Sequence, residues 1–103
     1  MTTAKRRFGQ NFLVDRNVVD RIVAAVAPRS DETIVEIGSG QGALTARLLE
    51  ATGRVVAIEF DRELVPFLRT KFARVANLYL LEADALTTDF RKAIAPAPRA
   101  RVV

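Results

Sequence analysis

The chain has 103 residues, half of them apolar, which fits one modest globular domain or a piece of a larger one. It contains neither cysteine nor histidine, so there is no material for a disulfide frame, a thiolate metal site or a histidine-based triad. Sixteen basic residues, thirteen of them arginine, stand against twelve acidic ones for a formal charge of +4, a balance that suits phosphate or nucleic-acid partners and equally a plain solvated surface.

The first segment, "MTTAKRRFGQNF", is basic and lacks the apolar run of a signal peptide, and no stretch approaches the ~18 apolar residues of a membrane span. A cytoplasmic location is expected. Val14, Val18, Val19, Ile22, Val23 and Val26 fall at helical spacing behind a cap at Asp15, and Pro28 closes that segment. "TIVEIG" (33–38) predicts a strand, "ALTARLLEAT" (43–52) a helix stopped near Gly53, and "RVVAIEF" (54–60) a second strand. The unit is βαβ, and its near-continuous apolar strands are those of a parallel sheet covered on both faces. Asp61 is placed to cap a helix over "RELVPFLRTKFARV" (62–75), in which Pro66 should bend the helix or delay its start. "LYLLEAD" (78–84) predicts a third strand, Asp89 to Ile94 a short helix, "APAPRA" (95–100) a loop, and "RVV" the beginning of a fourth strand. The expected fold class is α/β, a parallel Rossmann-like sheet with flanking helices that stops as strand four begins. Residues 1–30 would form an N-terminal arm and helix, and 31–103 part of a nucleoside-binding domain.

The loop "VEIGSGQGALT" (35–45) carries the chemistry. Gly38, Gly40 and Ala43 satisfy the dinucleotide pattern G-x-G-x-x-G/A, and Glu59 sits about 20 residues on, where it could bind a ribose diol. Two further carboxylates argue against a nicotinamide dinucleotide. Glu36, two residues before Gly38, would stand where the pyrophosphate goes, and like charges there are unfavourable. S-adenosylmethionine (SAM) has no phosphate and carries a sulfonium and an ammonium, which a carboxylate favours. Asp84, at the end of strand three, can accept a hydrogen bond from an adenine amino group. Each acid alone also reads as a helix cap or a solvated strand end. Three at successive strand ends favour a class I methyltransferase nucleoside site.

"KRRFGQNFLVD" (5–15), followed by "VEIGSGQGALT", "VVAIEFDREL" and "LLEADAL", resembles the ribosomal RNA adenine dimethyltransferases of the KsgA and Erm type. The glycine loop is common to many methyltransferases; "FGQNFL" followed by a helix and that loop is the specific part. The resemblance covers essentially the whole chain and the N-terminal part of the family's length. It implies that Asn11 and Leu13 lie against the methionine end of SAM, that Gly38 approaches it through backbone, that Glu59 takes the ribose hydroxyls and that Asp84 takes the adenine. It also implies methyl transfer to adenine N6 in ribosomal RNA, small or large subunit, within a pre-ribosomal particle. Lys5, Arg6 and Arg7 would meet the RNA backbone. The family's Asn-Leu/Ile-Pro-Tyr/Phe motif, which clamps the target adenine, is not found in the chain, nor is the family's helical C-terminal domain. No catalytic residue is therefore assigned, and the expectation is a cofactor-binding part that is inactive alone and pairs through an exposed sheet edge as a dimer. A nicotinamide-dependent domain and a non-catalytic RNA-binding relative remain as alternatives.

Overall fold

The computed structural model describes residues 15–103. Helices and strands alternate along it as α1 (Arg16–Val26), β1 (Thr33–Ile37), α2 (Ala43–Ala51), β2 (Arg54–Glu59), α3 (Leu64–Lys71), β3 (Leu78–Glu82), a 3-10 turn (Ala85–Thr87), α4 (Phe90–Ile94) and β4 (Arg101–Val102). The strands form one parallel sheet in the order β3-β2-β1-β4. β1 is interior, and its carboxyl end lies where the strand order reverses, the place at which open α/β sheets bind ligands. No helix among the described residues is long and apolar enough to cross a membrane.

Strand alternation distributes the core over two faces. Ile34, Val55 and Ala57 pack with Val19 of α1 and with Leu44 and Leu48 of α2. Val35, Val56 and Ile58 turn the other way, onto Ala93 and Ile94 of α4. With both faces covered, β1 and β2 are buried over most of their length, which is why they read as near-continuous apolar runs up to their carboxyl ends.

Local chemistry explains the boundaries. The Asp15 carboxylate accepts from Asn17 N at 2.9 Å and caps α1, as the sequence indicated. α3 departs from expectation at both ends, running from Leu64 to Lys71 rather than from 62 to 75. The late start makes Pro66 the third helical residue, inside the first turn, where a missing N–H breaks no intrahelical bond. Asp61 accordingly does not cap α3. Its carboxylate accepts from Glu63 N at 2.8 Å, and its carbonyl accepts from Leu64 N and Val65 N, so it organises the turn ahead of the helix.

Two fastenings hold the amino ends of the strands. Thr52 Oγ1 and Arg54 N both donate to the Glu32 carbonyl, at 2.9 and 3.2 Å, which brings the turn after α2 against the loop before β1. The approach is so close that a Cβ on Gly53 would lie 2.5 Å from the Ser30 carbonyl oxygen. Because that obstacle is backbone, Gly53→Ala should destabilise the fold by about 1–3 kcal/mol, seen as a lower urea midpoint with an unchanged slope; an unaltered midpoint would show that the loop yields freely. In the second fastening, the Arg101 guanidinium grips the Glu32 carboxylate at 2.6 and 2.9 Å and holds its pKa below the ordinary carboxylate range. This ties β4 to the base of β1, beside the ladder pairs Ile34–Arg101 and Val35–Val102.

Candidate functional site

At the carboxyl end of β1 the chain turns through residues 38–42 into α2. Gly38 has φ of +77°, a left-handed conformation that a side chain would strain, and a Cβ there would meet nothing within 4 Å. The backbone is thus open to a close-approaching ligand. Gly38 N donates to the Ile58 carbonyl at 2.9 Å, which pins the loop to β2. α2 begins at Gly42 without a side-chain cap, so the cap residue takes none of its first-turn N–H groups.

Glu59 ends β2 and is buried. One carboxylate oxygen accepts from Gly40 N and the other from Asp61 N, each at 3.0 Å. A single side chain thereby joins the glycine loop to the turn after β2. Each oxygen keeps a further lone pair for another donor. Asp84 lies just beyond β3 and is half-buried; its carboxylate accepts from Leu86 N at 2.9 Å and caps the 3-10 turn. The capping role and the place on the ligand-binding edge both hold for it. Asn11 and Leu13, with Lys5, Arg6 and Arg7, lie outside the described residues.

Glu36 differs from its sequence reading. It is 1% exposed and lies on the α1/α2 face of β1, where Thr45 Oγ1 of α2 donates to its Oε1 at 2.5 Å. Burial pushes its carboxyl up to about 7; the Thr45 hydrogen bond opposes the rise, the Glu59 charge adds to it, and the Ser39 hydroxyl opposes it weakly. At neutral pH the group is therefore only partly charged, and its like-charge objection to a pyrophosphate is weaker than the sequence implied. The objection moves to Glu59, which already occupies the Gly40 N–H that a phosphate at this loop would need.

Sequence reasoning missed three features. Among the described residues, Glu36 Oε2 and Ser39 Oγ are buried with no partner at full hydrogen-bond geometry, the hydroxyl acting only weakly on the carboxyl beside it. Thr45 is the donor that orients Glu36. Ile37, Phe60 and Leu86 expose apolar side chains at the ends of three neighbouring strands, Leu86 at 93%. The available signal was an apolar residue directly after, or one beyond, each strand-end acid. A cavity of about 720 Å³ opens at the opposite, amino end of the sheet, lined by Arg29, Arg99 and Arg101 among others, and contains none of these groups.

The two orphaned buried atoms test whether the residues suit a cationic nucleoside cofactor. A carboxyl oxygen and a hydroxyl without partners are costly in an apolar setting unless something polar or positive joins them. A sulfonium compound with an ammonium group meets that need, and Glu59 and Asp84 provide acceptors for its hydroxyl and amino hydrogens. The residues fit SAM.

The family model described as ribosomal RNA adenine dimethylase matches residues 1–100. A relative from Hahella chejuensis, Ribosomal RNA small subunit methyltransferase A, is 50% identical over 100 residues, covering 97% of this chain and 37% of its own length. Among solved structures, the 23S rRNA methyltransferase ErmE superposes with a TM-score of 0.70 at 32% identity, over 82% of this chain and 32% of its own. A dimethyladenosine transferase from Plasmodium falciparum superposes with a TM-score of 0.68 at 30% identity, over 72% of this chain and 28% of its own. The chain thus spans roughly a third of the length of these relatives, and its sheet and helices are those of a Rossmann-like methyltransferase.

Proposed function

The chain belongs to the ribosomal RNA adenine dimethylase family, and from that premise we propose that it is the SAM-binding part of an enzyme that methylates adenine N6 in ribosomal RNA. The observation that carries the cofactor assignment is Glu59, whose carboxylate bridges Gly40 N and Asp61 N at the carboxyl edge of the sheet, one strand from the switch point, with acceptor capacity to spare. When bound, SAM supplies an electrophilic methyl group on a sulfonium. The chain's own residues bind and orient. Glu59 accepts the ribose hydroxyls, Asp84 accepts the adenine amino group, and Gly38 leaves backbone open for close approach. Phe60 and Leu86 offer exposed apolar surface to a flat ring. The assignment of Asn11 and Leu13 to the methionine end rests on the "FGQNFL" resemblance. Ribosomal RNA, free or within a pre-ribosomal particle, is the macromolecular partner this reading requires.

Calorimetric titration of the chain with SAM, with its demethylated product S-adenosylhomocysteine, and with NAD tests the reading. Binding of the two sulfur nucleosides and silence from NAD is the expected pattern. Heat from NAD alone would reverse the assignment.

A further inference from the structure

Ribose and adenine recognition use Glu59 and Asp84 and leave Glu36 without a task. Yet Glu36 is an unusual group to keep. It is almost wholly buried, one oxygen is held by Thr45, and among the described residues the other has no partner at full hydrogen-bond geometry, the nearby Ser39 hydroxyl acting on it only weakly. A buried carboxyl in that condition keeps its proton further up the pH scale than an exposed one, and an arriving positive charge favours its loss. Among the described residues, the charged groups paired on the elements around it do not supply one. Glu59 on β2 adds negative charge. Arg47 on α2 is engaged by Asp20 of α1 at 2.5 Å and by Glu50 at 3.6 Å. Lys71 on α3 donates to the Gln41 carbonyl, and Arg101 on β4 is gripped by Glu32.

We propose that Glu36 is a positioning residue that reads the charge of the cofactor, losing its proton as the sulfonium form binds above the glycine loop and regaining it as the neutral thioether product takes its place. The proposal rests on the SAM reading. The proton passes to solvent on binding and returns from solvent on exchange, and no bond to carbon is made or broken in the step. The consequence is specificity. SAM and its product share ribose, adenine, ammonium and carboxylate, so Glu59 and Asp84 cannot tell them apart; the sulfonium charge is the difference, and a buried, water-excluded carboxyl is the group most responsive to it. With a free-state value of about 7, Glu36 would make this discrimination grow as the pH rises through neutrality and hold it above that. Thr45 sets the working range, because its hydrogen bond favours the ionised form.

Titrations of the chain with SAM and with S-adenosylhomocysteine, in buffers of differing ionisation enthalpy, count the protons exchanged. At pH 7 SAM should release roughly half a proton and the product clearly less, and SAM affinity should rise several-fold between pH 6 and pH 8 while that of the product changes little. Glu36→Gln should abolish the excess release and bring the two affinities together. Thr45→Val, which keeps the carboxyl and removes its donor, should move the release to higher pH and serves if the first variant folds poorly. Binding of both nucleosides with equal proton counts in the wild-type chain would overturn the proposal and leave the cofactor assignment standing. Absence of binding by either would overturn both.

Discussion

Glu59→Ala is expected to lower SAM affinity by about 100-fold or more. Two ribose hydroxyls donating to a carboxylate are charge-assisted hydrogen bonds worth about 1.5–3 kcal/mol each, and their joint loss exceeds the ~2.7 kcal/mol that corresponds to a hundredfold change. The substitution also removes the acceptor of Gly40 N and Asp61 N, so the glycine loop and the turn after β2 lose their common tie. A second variant separates the two contributions. Glu59→Gln keeps one acceptor oxygen and the side chain's size, so it should retain part of the loop order and show an intermediate loss. Calorimetry gives the affinities and urea melts give the stability of each variant. Equal SAM binding by Glu59→Ala and the wild-type chain would remove Glu59 from the site.

The tie through Glu59 bears on how much the sequence discloses. The order of elements and the parallel sheet were legible because each rests on a local rule: apolar runs for strands covered on both faces, a glycine-rich turn, and an acid before a helix. Asp15 obeys such a rule and does cap α1. Asp61 satisfies the same pattern and does not cap α3, because Pro66 moves the helix start and leaves Asp61 two residues too early. The site shows a similar division. Glu59 and Asp84 could be placed at strand ends from spacing alone, since strand ends map onto the ligand edge.

The burial of Glu36 could not be read that way, because an acid at a strand end looks the same whether it faces water or the underside of a helix. Parity holds the missing information. Glu36 shares its face with Ile34, and Glu59 shares its face with Ala57 and Val55; Ile34, Val55 and Ala57 all pack toward α1 and α2. Two acids on an otherwise apolar face must be satisfied by what lies around them, Glu36 by Thr45 of α2 and Glu59 by Gly40 N and Asp61 N. Ser39 and Thr45 are the polar residues that the loop and α2 bring there. Spacing found the glycines, and tertiary packing gave the residues between them their work.

The same burial makes the stability of the chain depend on pH in a direction opposite to that of an ordinary paired acid. In the unfolded chain Glu36 ionises near 4.5, whereas in the fold it does so at about 7. Below pH 4.5 both states hold the proton and Glu36 carries no penalty. As the pH rises toward 7 the unfolded chain releases the proton first, so stability falls across that interval, by about 3 kcal/mol in order of magnitude once the folded value is passed. Glu32, held low by Arg101, works in the reverse sense: its contribution is present above the ordinary carboxylate value and is lost in acid. The two windows meet near pH 4.5 and do not cancel. Glu36→Gln, neutral at every pH and able to keep a hydrogen bond with Thr45, should remove the fall between pH 5 and pH 8, leaving a chain close to wild type in stability at pH 5 and more stable at pH 8. Urea midpoints taken across that range for both chains decide the matter, and parallel curves would mean that Glu36 ionises as easily in the fold as out of it. A variant that is more stable at pH 8 yet no longer distinguishes SAM from its product would show why a buried carboxyl at this position is worth its cost in stability.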